Sequence, residues 1–534
     1  MVARAGTRRH LAALSGVLLY FSLPSFDLSF VAWIALVPLL VALRQGSYRE
    51  AFLLGMLAAA VAYGLHVRWA LDLGDLPFVS FLLIILYASL YVGVFGVFYL
   101  AQVRRCSWPA PLAAALLWVA LEFIRSNLSF LAWPFALLGY SQYQTPAILQ
   151  LASVTGVYGI SFLIVLVNEA IAEAALWASA RRTAVPTLQK SGLIVSGAVI
   201  AAVVLVVLLW GSQRANLAGT AKTILTVSLV QGNIPQKEKW DAGFRKKIEG
   251  RYRELTLKAS QDRPDLIIWP ESATPGYLRG RDPSVYRAVK ELVGETGTPL
   301  LVGSASHAKI HRAERREYRL RNSVFLLDSG GKIVSGYDKM RLLPFGEYLP
   351  LEGRFPWPRW IVPDNGTFTA GNSATVFELL GRRFGVVICW EIFFPNLFRT
   401  FVNANVDFMV NPTNEAWFDP EASRQFLSMS VFRAVENGVT LLRAANTGIT
   451  SLIDPLGNVR DRVRDGAGND IMVAGVLTVS VPPPIGPTFY TRYGDLFAVA
   501  CMALSAVFLI TAIRPGNMRR LRDIAGHRQS GISG

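Results

Sequence analysis

The chain has 534 residues, 52% of them hydrophobic, and a formal net charge of +16 at pH 7, with a mean hydropathy of +0.37. That is too apolar for an ordinary soluble enzyme and implies several membrane spans. The positive charge would suit nucleic acid, but most of the excess falls in short flanks beside apolar stretches, where it meets anionic lipid head groups, so no nucleic-acid partner is expected.

From the N-terminus, Arg4, Arg8 and Arg9 precede an apolar run. This resembles a signal peptide, but no A-x-A cleavage site follows and a second apolar stretch does, so a retained anchor is expected. Apolar runs then predict eight spans, at 11–23, 28–43, 51–65, 79–103, 109–123, 157–177, 192–210 and 495–513. The predicted fold class is a polytopic α-helical membrane protein with an inserted α/β domain. Residues 1–210 form a membrane domain of seven spans, 220–488 an inserted catalytic domain, 489–513 an eighth span and 514–534 a basic tail. Orientation follows from the loops. Arg44, Arg49, Arg104, Arg105, Arg181, Arg182, Lys190, Arg514, Arg519, Arg520, Arg522 and Arg528 join the three N-terminal arginines on one side, against Arg68 and Arg125 on the other. The positive-inside rule puts both termini in the cytoplasm and the inserted domain outside.

Within the inserted segment, "KTILTVSLVQGNI" predicts a strand, "FRKKIEGRYRELTLKAS" a helix, "DLIIWPE" a buried strand, "DPSVYRAVKELVGET" a helix and "PLLVGSAS" a strand. "NSVFLLDSGGKIVSGYDK" and "ATVFELLGRRFGVVICWE" predict hairpins. "FPNLFRTFVNANVDFMVNPTNE" gives a helix then a strand, "SRQFLSMSVFRAVENG" a helix and "VTLLRAANTGITSLIDPLGNVRDRV" a strand pair. Alternating strands and helices with added hairpins imply a layered α/β domain whose site lies at strand ends.

Three strand ends stand out: "IIWPE" ends at Glu271, "GYDK" at Lys339 and "VVICWE" carries Cys389. Of three cysteines, Cys106 borders a cytoplasmic loop and Cys501 lies in the last span, leaving Cys389 alone in the outward domain, where thiols tend to be oxidised. Taken singly, each has a plain structural reading: a buried apolar cysteine, a helix-start carboxylate after Pro270 and a solvated loop cation.

In combination, "WPE", "YDKMRLLPFGEYLP" and "CWE" resemble the nitrilase superfamily. Eight spans with the domain inserted before the last resemble its membrane branch, the apolipoprotein N-acyltransferases. "QGNIPQKEKW", "NPTNEAWF" and "FRAVENGVTLLRAANTG" extend the resemblance over nearly the whole chain. Where many members have Cys-Tyr-Glu, this chain has Cys389-Trp390-Glu391, which exchanges a hydroxyl for an indole N–H.

Acyl transfer from an ester needs a nucleophile, a base and oxyanion donors. Cys389 suits the first, between a strand and a helix begun by Pro395, near backbone N–H groups that would favour a thiolate. A histidine base is not expected, because His307 and His311 fall in the charged, turn-like "SHAKIHRAERRE". Glu271, behind a buried strand, takes that role. Lys339 supplies the oxyanion charge, worth about 3 kcal/mol by analogy with one oxyanion-hole donor. The resemblance implies that Glu347 orients the Lys339 amine or the acyl intermediate. Glu391, Trp390 and Trp240 are candidates for support. Asn414, Trp417 and Phe418 of "NPTNEAWFDP", with Trp357 and Trp360 of "GRFPWPRWIVPDNGTF", are candidates for substrate contact and an interfacial lid.

The resemblance also implies an αββα sandwich facing the periplasm of a bacterial inner membrane, and a monomer. It further implies a phospholipid donor such as phosphatidylethanolamine, diacylglyceryl apolipoproteins as acceptors, and ping-pong transfer through a Cys389 thioester. No zinc spacing or phosphate-cradling glycine loop occurs, and neither metal nor cofactor is expected. A membrane-anchored amidase or nitrilase is the alternative, but would leave eight spans only anchoring. A transporter or scaffold fits less well: degeneration would erase the catalytic residues, and the spans read as lacking clustered midplane charge.

Overall fold

The computed structural model describes residues 5–72, 77–105, 108–181, 190–216, 223–239, 241–280, 283–312, 315–351, 354–356, 368–418 and 420–513. Trp240, Trp357, Trp360, Cys106 and the basic tail lie outside these.

Among the described residues four helices, Tyr48–His66, Phe78–Arg105, Val157–Ser179 and Gly192–Ala215, are long and apolar enough to cross a membrane, and Ser29–Leu43, Pro146–Thr155 and Leu496–Ile510 are shorter apolar helical stretches. The expected span at 28–43 is not one continuous helix. It is a 3-10 turn followed by Ala32–Ala35 and Val37–Leu43, with Pro38 in the first turn of the last piece. Proline removes a donor and crowds the preceding turn, and side chains from neighbouring helices satisfy the freed groups. Leu36 N–H donates to Asn168 Oδ1 at 2.8 Å, Leu39 N–H to Ser15 Oγ at 2.8 Å, and Asn168 Nδ2 to the Ala32 carbonyl at 2.9 Å.

One group of charges lies among the apolar helices: Arg44, just beyond the expected span 28–43, is ion-paired with Glu169 and Glu173, and Tyr99 donates to Glu169 at 2.8 Å. These charges are matched within the helices, which is how a buried carboxylate is retained in an apolar environment.

The inserted domain has two sheets. The first contains β1 (Leu225–Gln231), β2 (Leu266–Ile268), β3 (Tyr277–Arg279), β4 (Leu300–Arg312), β5 (Arg315–Leu327), β6 (Ile333–Asp338) and β13 (Gly475–Val481), in order β13-β1-β2-β4-β5-β6 with β3 on β4. The second contains β7 (Val376–Leu379), β8 (Arg382–Val386), β9 (Phe408–Thr413), β10 (Thr440–Ala445), β11 (Ser451–Ile453) and β12 (Val459–Arg462), in order β12-β11-β10-β9-β8-β7. Strand periodicity sorts the side chains. Val227, Leu229, Leu266, Ile268, Leu301, Val324 and Leu326 join the core shared with the second sheet. Val230, Ile267, Leu300, Val302, Phe325 and Leu327 point the other way, under the helices Arg245–Ser260 and Ser284–Thr296.

Two sequence expectations change here. His307 and His311 of "SHAKIHRAERRE" lie not in a turn but in β4, whose antiparallel pairing with β5 runs from Leu300↔Leu327 to Arg312↔Arg315. Strand β13 was not anticipated, yet it covers the open edge of β1 over seven residue pairs.

The helix Pro420–Asn437 seats the domain on the membrane helices, and Ala422 to Asn437 are buried apart from Arg424. Gln425 accepts from Trp69 Nε1 at 3.1 Å and donates to the His66 carbonyl at 2.8 Å. Arg433 and Glu436 form an ion pair at 3.1 Å, and Glu436 Oε1 accepts from the Val157 N–H at 3.2 Å. The apolar segment between residues 128 and 156 folds into short turns, and its buried Phe135 meets Phe393 at 4.7 Å and Phe426 at 5.8 Å.

Candidate active site

Glu271 follows β2, and its backbone lies so close to β4 that a Cβ on Gly303 would sit 2.7 Å from Glu271 Cα and 2.3 Å from the Pro270 carbonyl oxygen. Only glycine allows that approach. The carboxylate is 6% exposed. It accepts from Asn322 Nδ2 at 2.7 Å and from the Asn414 N–H at 2.8 Å, and stands 3.4 Å from Lys339 Nζ.

Lys339 follows β6 and is 2% exposed. Its Nζ donates to Glu347 Oε1 at 2.8 Å. Glu347 in turn accepts from Asn322 Nδ2 at 2.8 Å and from the Leu343 N–H at 2.7 Å, which holds the loop after Lys339 in shape. Burial works against the Lys339 charge, but Glu347 and Glu271 overcome it and hold the ammonium well above the usual lysine range.

Cys389 occupies the turn between β8 and the helix Pro395–Asn403, with φ of +49°. A non-glycine residue in the left-handed region is strained and persists only where its surroundings fix it. Glu391 supplies that constraint. Its carboxylate accepts from the N–H groups of Ile388 at 2.7 Å, Met340 at 2.6 Å and Arg341 at 2.9 Å, and from the Tyr337 hydroxyl at 2.8 Å. One buried side chain thus ties the Cys389 turn to the loop that carries Lys339. Burial pushes the Glu391 carboxyl up to about 7, although every one of these bonds favours the anion.

The thiol itself departs from the sequence expectation of a favoured thiolate. Burial and the facing Glu271 carboxylate push it up to about 12, against Lys339 and a hydrogen bond with Thr413. A cysteine in such surroundings rests as the thiol and loses its proton only as a bond forms to it.

Of the supporting residues, Trp390 stacks on Phe135 at 5.9 Å and meets Phe393 edge-on at 4.9 Å, so it joins the Cys389 turn to the 128–156 segment through its ring. Asn414 reaches Glu271 through its backbone, while its side chain bonds Gln236 and Asn446, both at 2.9 Å. The two loop aromatics differ: Trp417 is 49% exposed, whereas Phe418 packs edge-on against Trp69 and Phe426, both at 5.2 Å. Three residues were not anticipated. Asn322 bridges the two glutamates, Lys239 donates to the Glu271 carbonyl at 3.0 Å, and Arg443 is ion-paired with Glu415 beneath the site. Among the described residues no cluster of three or more His, Cys, Asp or Glu side chains could hold a metal.

Comparison with known proteins finds two family matches in the chain. Residues 15–170 match the apolipoprotein N-acyltransferase N-terminal domain and residues 226–481 match the carbon-nitrogen hydrolase domain. An apolipoprotein N-acyltransferase of Geobacter metallireducens is 38% identical over 514 residues, covering 94% of this chain and 95% of its own. One from Chlorobaculum tepidum is 30% identical over 530 residues, covering 94% and 96%. Among solved structures, a Nesterenkonia amidase of the nitrilase superfamily is 17% identical, covers 49% of this chain and 94% of its own, and has a TM-score of 0.37.

Proposed function

This chain belongs to the apolipoprotein N-acyltransferase family, and on that premise we propose that it moves a fatty acyl chain from a phospholipid to the α-amino group of a diacylglyceryl-cysteine through a thioester on Cys389. It is a multi-pass membrane acyltransferase acting in lipoprotein biosynthesis. The observation that carries the cysteine scheme is the convergence of Glu271, Lys339 and Cys389 from three strand ends, with Glu347 from the loop after Lys339, into one buried cluster.

In the first half-reaction the Cys389 thiol gives its proton to Glu271 as sulfur attacks the ester carbonyl. Lys339 Nζ donates to the developing oxyanion. On collapse the glycerol oxygen leaves with the proton held by Glu271, releasing lysophospholipid and leaving the acyl group on sulfur. In the second half-reaction the neutral α-amine attacks the thioester, Glu271 takes its proton and returns it to the departing Cys389 sulfur, and an amide forms. Each half-reaction restores the carboxylate, so one base serves both.

Eight spans, with the catalytic domain in the periplasm and both termini in the cytoplasm, are the arrangement the basic flanks support in an inner membrane. Phosphatidylethanolamine suits the donor role in such a membrane, and the enzyme is read as a monomer without cofactor. The aromatic contact of Trp390 with Phe135 sets the nucleophile turn against the 128–156 segment of the membrane domain, which suits a donor whose acyl chains stay in the bilayer. The test is mass analysis of the purified protein after incubation with phospholipid. An acyl adduct on the peptide holding Cys389, absent from Cys389→Ala, is expected. Full turnover by Cys389→Ala would end the scheme.

A further inference from the structure

Lys339 is not the only lysine buried in the cluster. Lys239 closes the short helix Gln236–Lys239 and is 2% exposed. Its Nζ donates to the backbone carbonyl of Glu271 at 3.0 Å, and among the described residues no carboxylate lies within ion-pair distance of it. A buried ammonium with a single neutral partner is costly, and such a charge is ordinarily either paired or put to use.

The charges around Cys389 indicate the use. Glu271 and Glu347 face it and oppose its ionisation, whereas Lys339 favours it. Lys339 is already shared between those two carboxylates. Arg443, behind the thiol, is matched by Glu415, and Glu391 on the far side of the turn is held by three N–H groups and a hydroxyl. Lys239 is the remaining cation that interacts with both Cys389 and Glu271. Without it the site becomes one charge more negative where a thiolate, and then an oxyanion, must form.

We infer that Lys239 is a second electrostatic partner of the acyl-transfer centre, a positioning residue that lets a carboxylate base and a cysteine anion form side by side. The inference rests on Cys389 being the nucleophile. It divides labour between the lysines: Lys339 is shared by Glu271 and Glu347 in the resting state, which leaves one negative charge in excess, and Lys239 offsets it. Burial holds the Lys239 ammonium down at about 8, against Glu271 and Cys389, so it carries its charge at neutral pH and gives it up in mild alkali.

The experiment compares Lys239→Gln with Lys239→Met in the full-length enzyme and reads two quantities: alkylation of Cys389 by iodoacetamide as a function of pH, followed on its peptide by mass, and thioester formation from phospholipid. Glutamine retains a donor for the Glu271 carbonyl but carries no charge; methionine retains neither. If the charge matters, both variants alkylate Cys389 about ten- to a hundredfold more slowly than wild type at pH 7, where Lys239 is charged, the gap narrows above pH 8, and acylation slows in step. Lys239→Arg should recover part of the rate. Wild-type alkylation by Lys239→Gln with an unmoved profile overturns the inference and leaves Lys239 a hydrogen-bond donor, and Lys239→Gln decides this even if Lys239→Met fails to fold. If wild-type Cys389 is alkylated but never acylated, the nucleophile reading fails instead, and the two failures are distinguishable.

Discussion

Glu391 touches no reacting atom, yet its replacement should be among the most damaging changes outside the triad. Its two oxygens take four donors: the N–H groups of Ile388, Met340 and Arg341 and the hydroxyl of Tyr337. Glu391→Ala leaves all four without their acceptor, and at roughly 1 kcal/mol or more for each unsatisfied buried donor the loss is about 4 kcal/mol. Glu391→Gln is gentler. Its remaining oxygen can still serve Met340 and Arg341, but its amide N–H groups meet the Ile388 N–H, a donor against a donor, for a cost of about 2 kcal/mol.

The functional loss should be larger than the loss of stability, because those bonds fasten the Cys389 turn to the Lys339 loop. A displacement of about 1 Å between reacting groups costs on the order of a hundredfold in rate. The assays are thermal unfolding in detergent and single-turnover acylation with phospholipid. The pH dependence supplies a signed check. Because the folded Glu391 carboxyl is raised from 4.5 to about 7, its contribution to stability is complete below 4.5 and is lost as the pH rises through about 7. Glutamine does not titrate, so the advantage of wild type over Glu391→Gln should be wider at pH 5 than at pH 8. An equal or reversed gap, or wild-type acylation by Glu391→Gln, would refute the reasoning.

Further outcomes follow from the same geometry. Glu271→Gln should form no thioester, since it removes the base while retaining the shape of the side chain and one oxygen that can accept from Asn322 or Asn414; rapid acylation by this variant would remove Glu271 from the mechanism. The neighbouring aromatics should separate: Phe418→Ala, which empties a contact with Trp69 and Phe426, should lower thermal stability by about 3 kcal/mol, whereas Trp417→Ala should leave stability near wild type and raise the apparent lipid requirement. The converse pattern would exchange their roles. For topology, a reporter fused after residue 300 should lie outside the cytoplasm and one after residue 534 inside; finding both on one side would mean an odd error in the span count.

The parts of the site that were legible in the sequence belong to strand ends, where a short apolar run stops at a single polar residue. Glu271, Lys339 and Cys389 have that signature, and Glu347 sits in a loop marked by Pro344, Gly346 and Pro350. Asn322 and Lys239 have no such mark. Asn322 lies in β5, and its bond to Glu271 exists because β4 and β5 pair in register beside the Glu271 segment. Lys239 lies in a charged run, "QKEKW", whose ordinary reading is solvated surface; burial is conferred by the loop folding back over the Glu271 carbonyl. Strand β13 was hidden for a similar reason. Its partner β1 stands some 250 residues earlier, and local pattern carries no record of a partner at that distance.

The helix Pro420–Asn437 shows most plainly what local pattern cannot carry. Ser423, Gln425, Ser428, Ser430, Arg433, Glu436 and Asn437 read as the wet side of an amphipathic helix, yet all are buried. Gln425 and Glu436 meet groups at the ends of the membrane helices, the indole of Trp69, the carbonyl of His66 and the N–H of Val157, while Ser428, Ser430 and Asn437 bond carbonyls of their own helix. Helix ends leave backbone groups unsatisfied, and where a second domain covers them in place of water, that domain must bring polar side chains to meet them. A polar face is therefore the expected composition of a helix docked on the rim of a membrane bundle. The same seam holds Phe135 against Trp390, one residue from Cys389. The contact that fixes the inserted domain on the 128–156 segment thus also sets the position of the Cys389 turn, and if Cys389 is the nucleophile, the membrane domain has a structural part in the chemistry beyond anchoring.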